Sequence, residues 1–189
     1  YVIYLIARPV TQLYSTPEKS PITSWAYSIL GQIYVVLPLA LLGVWGYKSD
    51  YQLFMNTEYL LMALFVFVWT NDTGAYIVGC TLGKHRLFER ISPKKSWEGF
   101  FGGLAFCIIL ASLANYIIPG MLSTAQWIGM GILTSIFSTW GDLCESLLKR
   151  TAGVKDSGKI LPGHGGILDR FDSELIASPV IFIYLTFVL

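Results

Sequence analysis

The chain has 189 residues, 54% hydrophobic and only 13% charged, with a net charge of +1. A soluble domain of this size carries about twice that charged fraction, so an ordinary soluble globular fold is excluded. The apolar residues also come in long blocks rather than amphipathic stripes, the pattern of an all-α, polytopic transmembrane helical protein. Three cysteines, Cys80, Cys107 and Cys144, lie in or beside apolar segments. An odd number without metal-like spacing argues against a disulfide framework and against zinc.

In chain order, the first residue is not Met and the sequence opens inside an apolar run, YVIYLIA. Residues 1–7 therefore read as the end of an earlier span. The expectation is one membrane domain over 1–189, the C-terminal portion of a longer polytopic protein. Segments near the ~20 residues that cross a bilayer follow at about 25–46, 58–82, 99–118, 125–148 and 173–189. No signal peptide is recognisable, because the first run lacks a basic flank and a small-residue cleavage site.

Basic residues orient these spans, since cytoplasmic loops are enriched in Lys and Arg. Loops 8–24, 83–98 and 149–172 would hold twelve of the thirteen Lys and Arg residues, leaving Lys48 for the other side. Those three loops are assigned to the cytoplasm. An integral multi-pass protein with its chemistry on the cytoplasmic face is expected, with membrane lipid as a partner and no nucleic acid. A homodimer is compatible with this layout.

Ionisable residues interrupt the apolar blocks. Asn71-Asp72 breaks the block over 58–82, and Asp142 and Glu145 sit near the end of the block over 125–148. Each such carboxylate costs about 2.5–3.5 kcal/mol when central in a span and facing lipid. A hydrated or cation-containing interior is the cheaper location. Ser138, Asp142, Glu145, Ser146 and Lys149 recur at i, i+4, i+7, i+8 and i+11, one stripe on an α-helix. An oxygen-rich set without cysteine suits a hard cation such as Mg²⁺, which favours carboxylates and substrate phosphates. Gly79-x-x-x-Gly83 and Gly99-x-x-x-Gly103 read as close helix packing. Most of the Trp and Tyr residues read as interfacial anchors. His85 reads as a solvated loop residue. Lys94-Lys95 either obeys the orientation rule or binds phosphate.

The loop GVKDSGKILPGHGGILDRFD, residues 153–172, comes within one residue of a P-loop. Ile160 stands where that motif needs a hydroxyl for Mg²⁺, and the segment follows a span rather than a strand, so the P-loop reading fails. What remains is a glycine-rich segment whose backbone amides can approach an anion, with Lys155, Lys159 and Arg170 to neutralise phosphate. Asp169 and Asp172, three apart, share a face if the next helix has already begun there. A helical hairpin can then bring Asp142 and Asp169 together across one cation.

The run Ser146-x-Leu148-Lys149-Arg150-x4-Lys155-Asp156-x-Gly158-x2-Leu161-Pro162-x-His164-Gly165-Gly166-Ile167-x-Asp169-Arg170-Phe171-Asp172 resembles the signature of the phosphatidate cytidylyltransferases, or CDP-diacylglycerol synthases. NDTGAY (71–76) and SPKKSWEGFFGG (92–103) are similar to that family too. The resemblance implies a polytopic enzyme that makes CDP-diacylglycerol and pyrophosphate from CTP and phosphatidate for phospholipid biosynthesis. It implies an Mg²⁺ centre at the cytoplasmic membrane face, with K⁺ beside it. Its two metal aspartates map onto Asp142 and Asp169, and Ser146, Lys149 and Asp172 match further functional positions. Its nucleotide-side residues map onto Asp72, Lys94, Lys95, Ser96 and Lys155. Lys149, Arg150 and Lys155 would hold the triphosphate or the lipid phosphate. His164 is either an acid–base group or a loop hydrogen-bonder, and Asp172 is the other candidate base.

Three rival readings remain. A CTP-dependent polyprenol or phytol kinase has similar architecture but transfers the γ-phosphate. A CDP-alcohol phosphatidyltransferase lacks its D-G-x2-A-R pattern here. A transporter would place its carboxylates at the midplane, whereas these cluster at one face.

Overall fold

The structure, a computed structural model, describes residues 2–14, 20–46, 57–158, 160 and 165–189. Among them the chain is helical except for one short hairpin. Helices α1 (Val2–Leu13), α2 (Pro21–Gly31) and α3 (Leu37–Gly46) precede α4 (Thr57–Leu82). Strands β1 (Arg86–Phe88) and β2 (Ser92–Ser96) lead into α5 (Trp97–Ile117), α6 (Thr124–Thr151) and α7 (Leu168–Val188). The strands pair antiparallel, Arg86 opposite Ser96 and Phe88 opposite Ser92. The composition gave no signal for this hairpin, which lies in the loop expected over 83–98.

Local chemistry sets the helix ends. Ser96 caps α5 by accepting from the Gly99 amide at 3.1 Å, and Ser123 with Gln126 forms a reciprocal capping box on α6. At the far end of α6, Gly153 adopts φ +71°. Its N–H donates to the Arg150 carbonyl, and that of Val154 donates to the Lys149 carbonyl. This is a Schellman closure, which glycine alone adopts without strain. It stops α6 just after its last basic residues and turns the chain back. Helix α7 begins at Leu168, so Asp169 and Asp172 do lie on one helix.

Helices α2 and α3 form one continuous path through a π-helical turn over Gln32–Val36, in which the Leu37 N–H reaches the Gln32 carbonyl. Pro38 explains the turn. A proline has no N–H and its ring crowds the carbonyl four residues back, here that of Tyr34. Widening the turn by one residue relieves the clash.

The helices α3 to α7 close a ring. Consecutive members pack on one another, α3 also packs on α7, and α4 reaches across to α6. The ring has two unlike halves. Leu64, Phe67, Cys107, Ala111, Trp127, Met130, Ile181 and Leu185 fill one end with apolar side chains. These come from the first half of α4 and α6 and the second half of α5 and α7. The other end holds the buried polar residues Asn71, Thr134, Ser135, Ser138, Thr139, Glu145, Ser173 and Glu174. Hydrophobic, largely exposed side chains such as Met62, Trp69, Ile109 and Phe187 cover the outside, as expected of a surface that meets acyl chains.

The glycine pairs act in packing, as their spacing implied. A Cβ on Gly99 would lie 2.9 Å from the Ala75 carbonyl oxygen, and one on Gly103 would lie 2.7 Å from that of Asn71. Helices α4 and α5 therefore touch backbone to backbone along this face.

Four helical segments are long and apolar enough to cross a membrane: Pro21–Val44, Glu58–Leu82, Trp97–Ile117 and Leu168–Val188. Helix α6 covers the whole of the segment expected over 125–148 and has 28 residues, with a more polar composition than those four. Its polar side faces protein rather than lipid, so it needs no continuous hydrocarbon surface. Unlike the Trp residues expected as interfacial anchors, Trp127 is fully buried against Phe67 at a ring separation of 6.4 Å.

Candidate active site

The polar half gathers residues that are far apart in sequence. Asp142, on α6, accepts from Lys95 Nζ at 2.6 Å on one carboxylate oxygen and from Ser146 Oγ at 3.2 Å on the other. Lys95 arrives on β2, held by the hairpin. Glu98 secures that hairpin by accepting from the amides of Lys84 and His85 and by bonding the His85 ring at 2.6 Å. His85 is thus exposed, as expected, but not merely solvated.

Two turns further along α6, Lys149 bridges two acids. It pairs with Glu145 on its own helix and donates to Asp169 Oδ1 at 2.9 Å. The Asp169 side chain is 8% exposed and that of Glu145 1%. Asp169 also gathers the returning loop. Its Oδ2 accepts from the Gly166 amide at 2.7 Å and from the Ser157 amide and hydroxyl, each at 2.9 Å. Gly165 is required here: its φ is +80°, and a Cβ would sit 2.6 Å from Asp169 Oδ2. The amides of Gly166 and Ser157 therefore hold a carboxylate in this structure, that of Asp169 itself.

Asp172 lies within electrostatic range of Asp142, Asp72 and Lys149, and Asp72 within range of Lys95 and Asp142. The centre thus assembles carboxylates from α4, α6 and α7. Beside it, a cavity of about 220 Å³ is lined by Asp72, Tyr76, Lys94, Lys95, Phe100 and Thr139, among others. It offers two ammonium groups and aromatic faces, the chemistry that suits a nucleotide.

Of the residues singled out in the sequence, Asp72, Lys95, Asp142, Ser146, Lys149, Asp169 and Asp172 converge. Lys94 and Ser96 line the cavity, and the Ser96 oxygen also caps α5. Arg150, Lys155 and Arg170 are exposed at the rim. His164 lies outside the described residues. The helical stripe divides: Ser138 turns to Asn71 in the interior, Asp142 meets Lys95 of the hairpin, and Lys149 meets Asp169. Sequence reasoning passed over Ser157, whose amide and hydroxyl hold Asp169, and Glu174, buried one turn beyond Asp169. The serine carries no distinctive sequence signal. The glutamate did carry one, being an acid inside an apolar block.

Asn71 fixes the border between the two halves. It is 1% exposed, its amide donates to Ser138 and Thr139, and its oxygen accepts from Ser135 at 2.6 Å. Ser138 and Thr139 keep backbone acceptors without it, but the Ser135 hydroxyl does not. Asn71→Ala is therefore expected to cost about 1–3 kcal/mol, the penalty for one buried donor left unpaired. Thermal unfolding in detergent would measure this.

Among the described residues, no three His, Cys, Asp or Glu side chains are arranged as a ready metal site. The donor chemistry nonetheless fits a hard cation. Asp72, Asp142, Glu145, Asp169, Asp172 and Glu174 gather at this end, where Lys95 pairs with Asp142 and Lys149 with Glu145 and Asp169. Glu145 Oε1 is buried without a hydrogen-bond partner. A carboxylate cluster of this kind, with Glu145 and Glu174 buried, suits further positive charge.

A helical ring with four candidate membrane spans, and with lysines paired to carboxylates at one end, is the architecture of an integral membrane protein with a charged centre. The sequence profile of the cytidylyltransferase family matches residues 1–188, and the chain belongs to that family. A phosphatidate cytidylyltransferase of Staphylococcus aureus (strain COL) is 41% identical over 160 residues, covering 84% of this chain and 61% of the relative. The protein of that name from Staphylococcus haemolyticus (strain JCSC1435) is 41% identical over 159 residues, with the same coverage. That from Staphylococcus epidermidis (strain ATCC 12228) is 40% identical over 159 residues. The chain spans 61% of the length of these curated relatives.

Proposed function

We propose that the protein transfers a cytidylyl group from CTP to phosphatidate, giving CDP-diacylglycerol and pyrophosphate, with its centre at the cytoplasmic face of the membrane. The observation that carries this reading is the convergence of Lys95–Asp142 and Lys149–Asp169 beside one cavity. The family and the names of the relatives support it. The concentration of Lys and Arg in the loops at the same end of the bundle supports the cytoplasmic side.

In the reaction, a phosphate oxygen of phosphatidate forms a bond to the α-phosphorus of CTP. The bond from that phosphorus to the bridging oxygen of the β-phosphate breaks, and pyrophosphate leaves with the electron pair. Both reactants are anions, so the chief requirement is to neutralise charge and align the groups. Lys94 and Lys95 would hold the nucleotide phosphates in the cavity, and Arg150 and Lys155 at the rim would guide them in. Lys149 would release part of its hold on Glu145 and Asp169 to meet a phosphate oxygen. The second ionisation of a phosphomonoester lies near neutrality, so the attacking oxygen needs no strong base. Asp172 is the group placed to take a proton.

Asp142 and Asp169 would hold Mg²⁺, with K⁺ beside it, when Lys95 and Lys149 turn toward the substrates. The ion would supply charge neutralisation across the phosphates.

The test is a product assay on the full-length protein with CTP, phosphatidate and Mg²⁺. Label in the α-phosphate should appear in the lipid product and label in the γ-phosphate in pyrophosphate. A γ-label in the lipid would instead establish a kinase. Removing divalent ions with EDTA should abolish turnover, and activity that survives exhaustive EDTA treatment would discard the metal.

A further inference from the structure

Tyr34 sits in the π-helical turn between α2 and α3, a segment that nothing above assigns to the reaction. Its hydroxyl oxygen is buried and has no hydrogen-bond partner. Glu145, Asp172 and Asp142 lie within electrostatic range of it, and the turn packs directly on α7. Ile33, Val36 and Leu37, on either side, are exposed on the outer surface. The same turn therefore presents hydrocarbon outward and one phenol inward, toward the carboxylate centre.

This arrangement is costly if nothing uses the hydroxyl. A phenylalanine would fill the same space without leaving a buried donor unpaired. Turns of this type are also uncommon and concentrate at functional sites. The ring position follows from Pro38, which forces the wide turn at Tyr34. The centre already holds abundant acceptors and few donors, and a phenol supplies a neutral donor that does not compete for the cationic positions.

We propose that Tyr34 is a substrate-binding residue that donates a hydrogen bond to the phosphate of the lipid substrate. The lipid is favoured over the nucleotide because this turn is the wall between acyl chains and the carboxylate centre. The cavity suited to a nucleotide lies away from it, between α4, α5 and the hairpin. A phosphomonoester lipid entering sideways from the bilayer meets Tyr34 as its headgroup reaches the centre. The assignment rests on the reading of the site as a phosphatidate-binding enzyme, and it concerns binding rather than turnover.

The experiment is equilibrium binding of phosphatidate to the full-length protein in detergent micelles, followed by tryptophan fluorescence, with diacylglycerol as the control lacking the phosphate. Tyr34→Phe should weaken phosphatidate binding tenfold or more, the scale of a hydrogen bond to a charged acceptor. Diacylglycerol and CTP binding should stay within about twofold, a difference too small to reflect such a bond. The variant should unfold at an unchanged or higher temperature, since it removes an unpaired group. Unchanged phosphatidate affinity, a loss confined to CTP, or a clear loss of thermal stability would each overturn the assignment. So would wild-type protein that binds phosphatidate no better than diacylglycerol. Protein that binds phosphatidate but forms no CDP-diacylglycerol would overturn the reaction instead and leave Tyr34 standing.

Discussion

Asp169→Asn is expected to slow pyrophosphate release from CTP and phosphatidate by about two to three orders of magnitude, the scale seen when one preorganised electrostatic group is removed from a site. The geometry gives the reason. Both Asp169 oxygens accept: Oδ1 from Lys149, and Oδ2 from the Gly166 amide and from Ser157. An asparagine must turn its NH₂ toward one of these sets, so a donor faces donors in either orientation. Lys149 then keeps only Glu145, and the loop over 155–158 loses its anchor.

The bundle itself should survive, because the apolar core lies in the opposite half among Leu64, Phe67, Trp127 and Ile181. Circular dichroism and size exclusion in detergent should therefore match the wild type. Asp142→Asn should behave alike, since it removes the partner of Lys95 and the second proposed metal-binding carboxylate. Activity within tenfold of wild type in either variant would remove that aspartate from the centre.

Much of this centre was legible in the sequence, and the reason is energetic. An acid in an apolar block needs a compensating environment, so Asp72, Asp142 and Glu145 pointed to an interior polar site, and Asp169 and Asp172 in the glycine-rich loop supplied its other side. The i, i+4, i+7 spacing placed Asp142 and Lys149 near one another, and the structure puts both on the side of α6 that meets the loop or the hairpin. What stayed hidden depends on tertiary pairing. Nothing local says that Lys95, on a two-stranded hairpin, reaches Asp142, or that the Ser157 amide reaches Asp169. Tyr34 was hidden for another reason. Tyrosines in membrane helices usually mark interfaces, and the clue that this one turns inward was Pro38, four residues on. Helix α6 was readable too, but it is more polar than α4, α5 and α7 because it carries Asp142, Glu145 and Lys149 on the side that faces protein.

Gly141→Ala is expected to impair both folding and activity, unlike a typical helical glycine-to-alanine change. On an open helix face that substitution gains about 1 kcal/mol. Here a Cβ would lie 2.7 Å from the Asp172 carbonyl oxygen, 2.9 Å from that of Ser173 and 3.1 Å from the Ser173 Cα. All three are backbone atoms, so no rotamer change relieves the contact, and α6 must move away from α7. Overpacking of this kind costs about 1–3 kcal/mol, which exceeds the propensity gain over most of that range. The displacement also falls next to Asp142 on one helix and at Asp172 on the other, so it opens the centre where the two acids face each other. A lowered unfolding temperature in detergent, together with at least a tenfold loss of cytidylyl transfer, is the expected pair of results. Gly31→Ala is the matched control: it is also a helical glycine, but a Cβ there meets no atom within 4 Å. It should leave activity unchanged and raise the unfolding temperature if it changes it at all. A Gly141→Ala protein as stable and as active as the wild type would show that the α6–α7 crossing has slack, and that the close approach of these helices does not hold Asp142 and Asp172 in register.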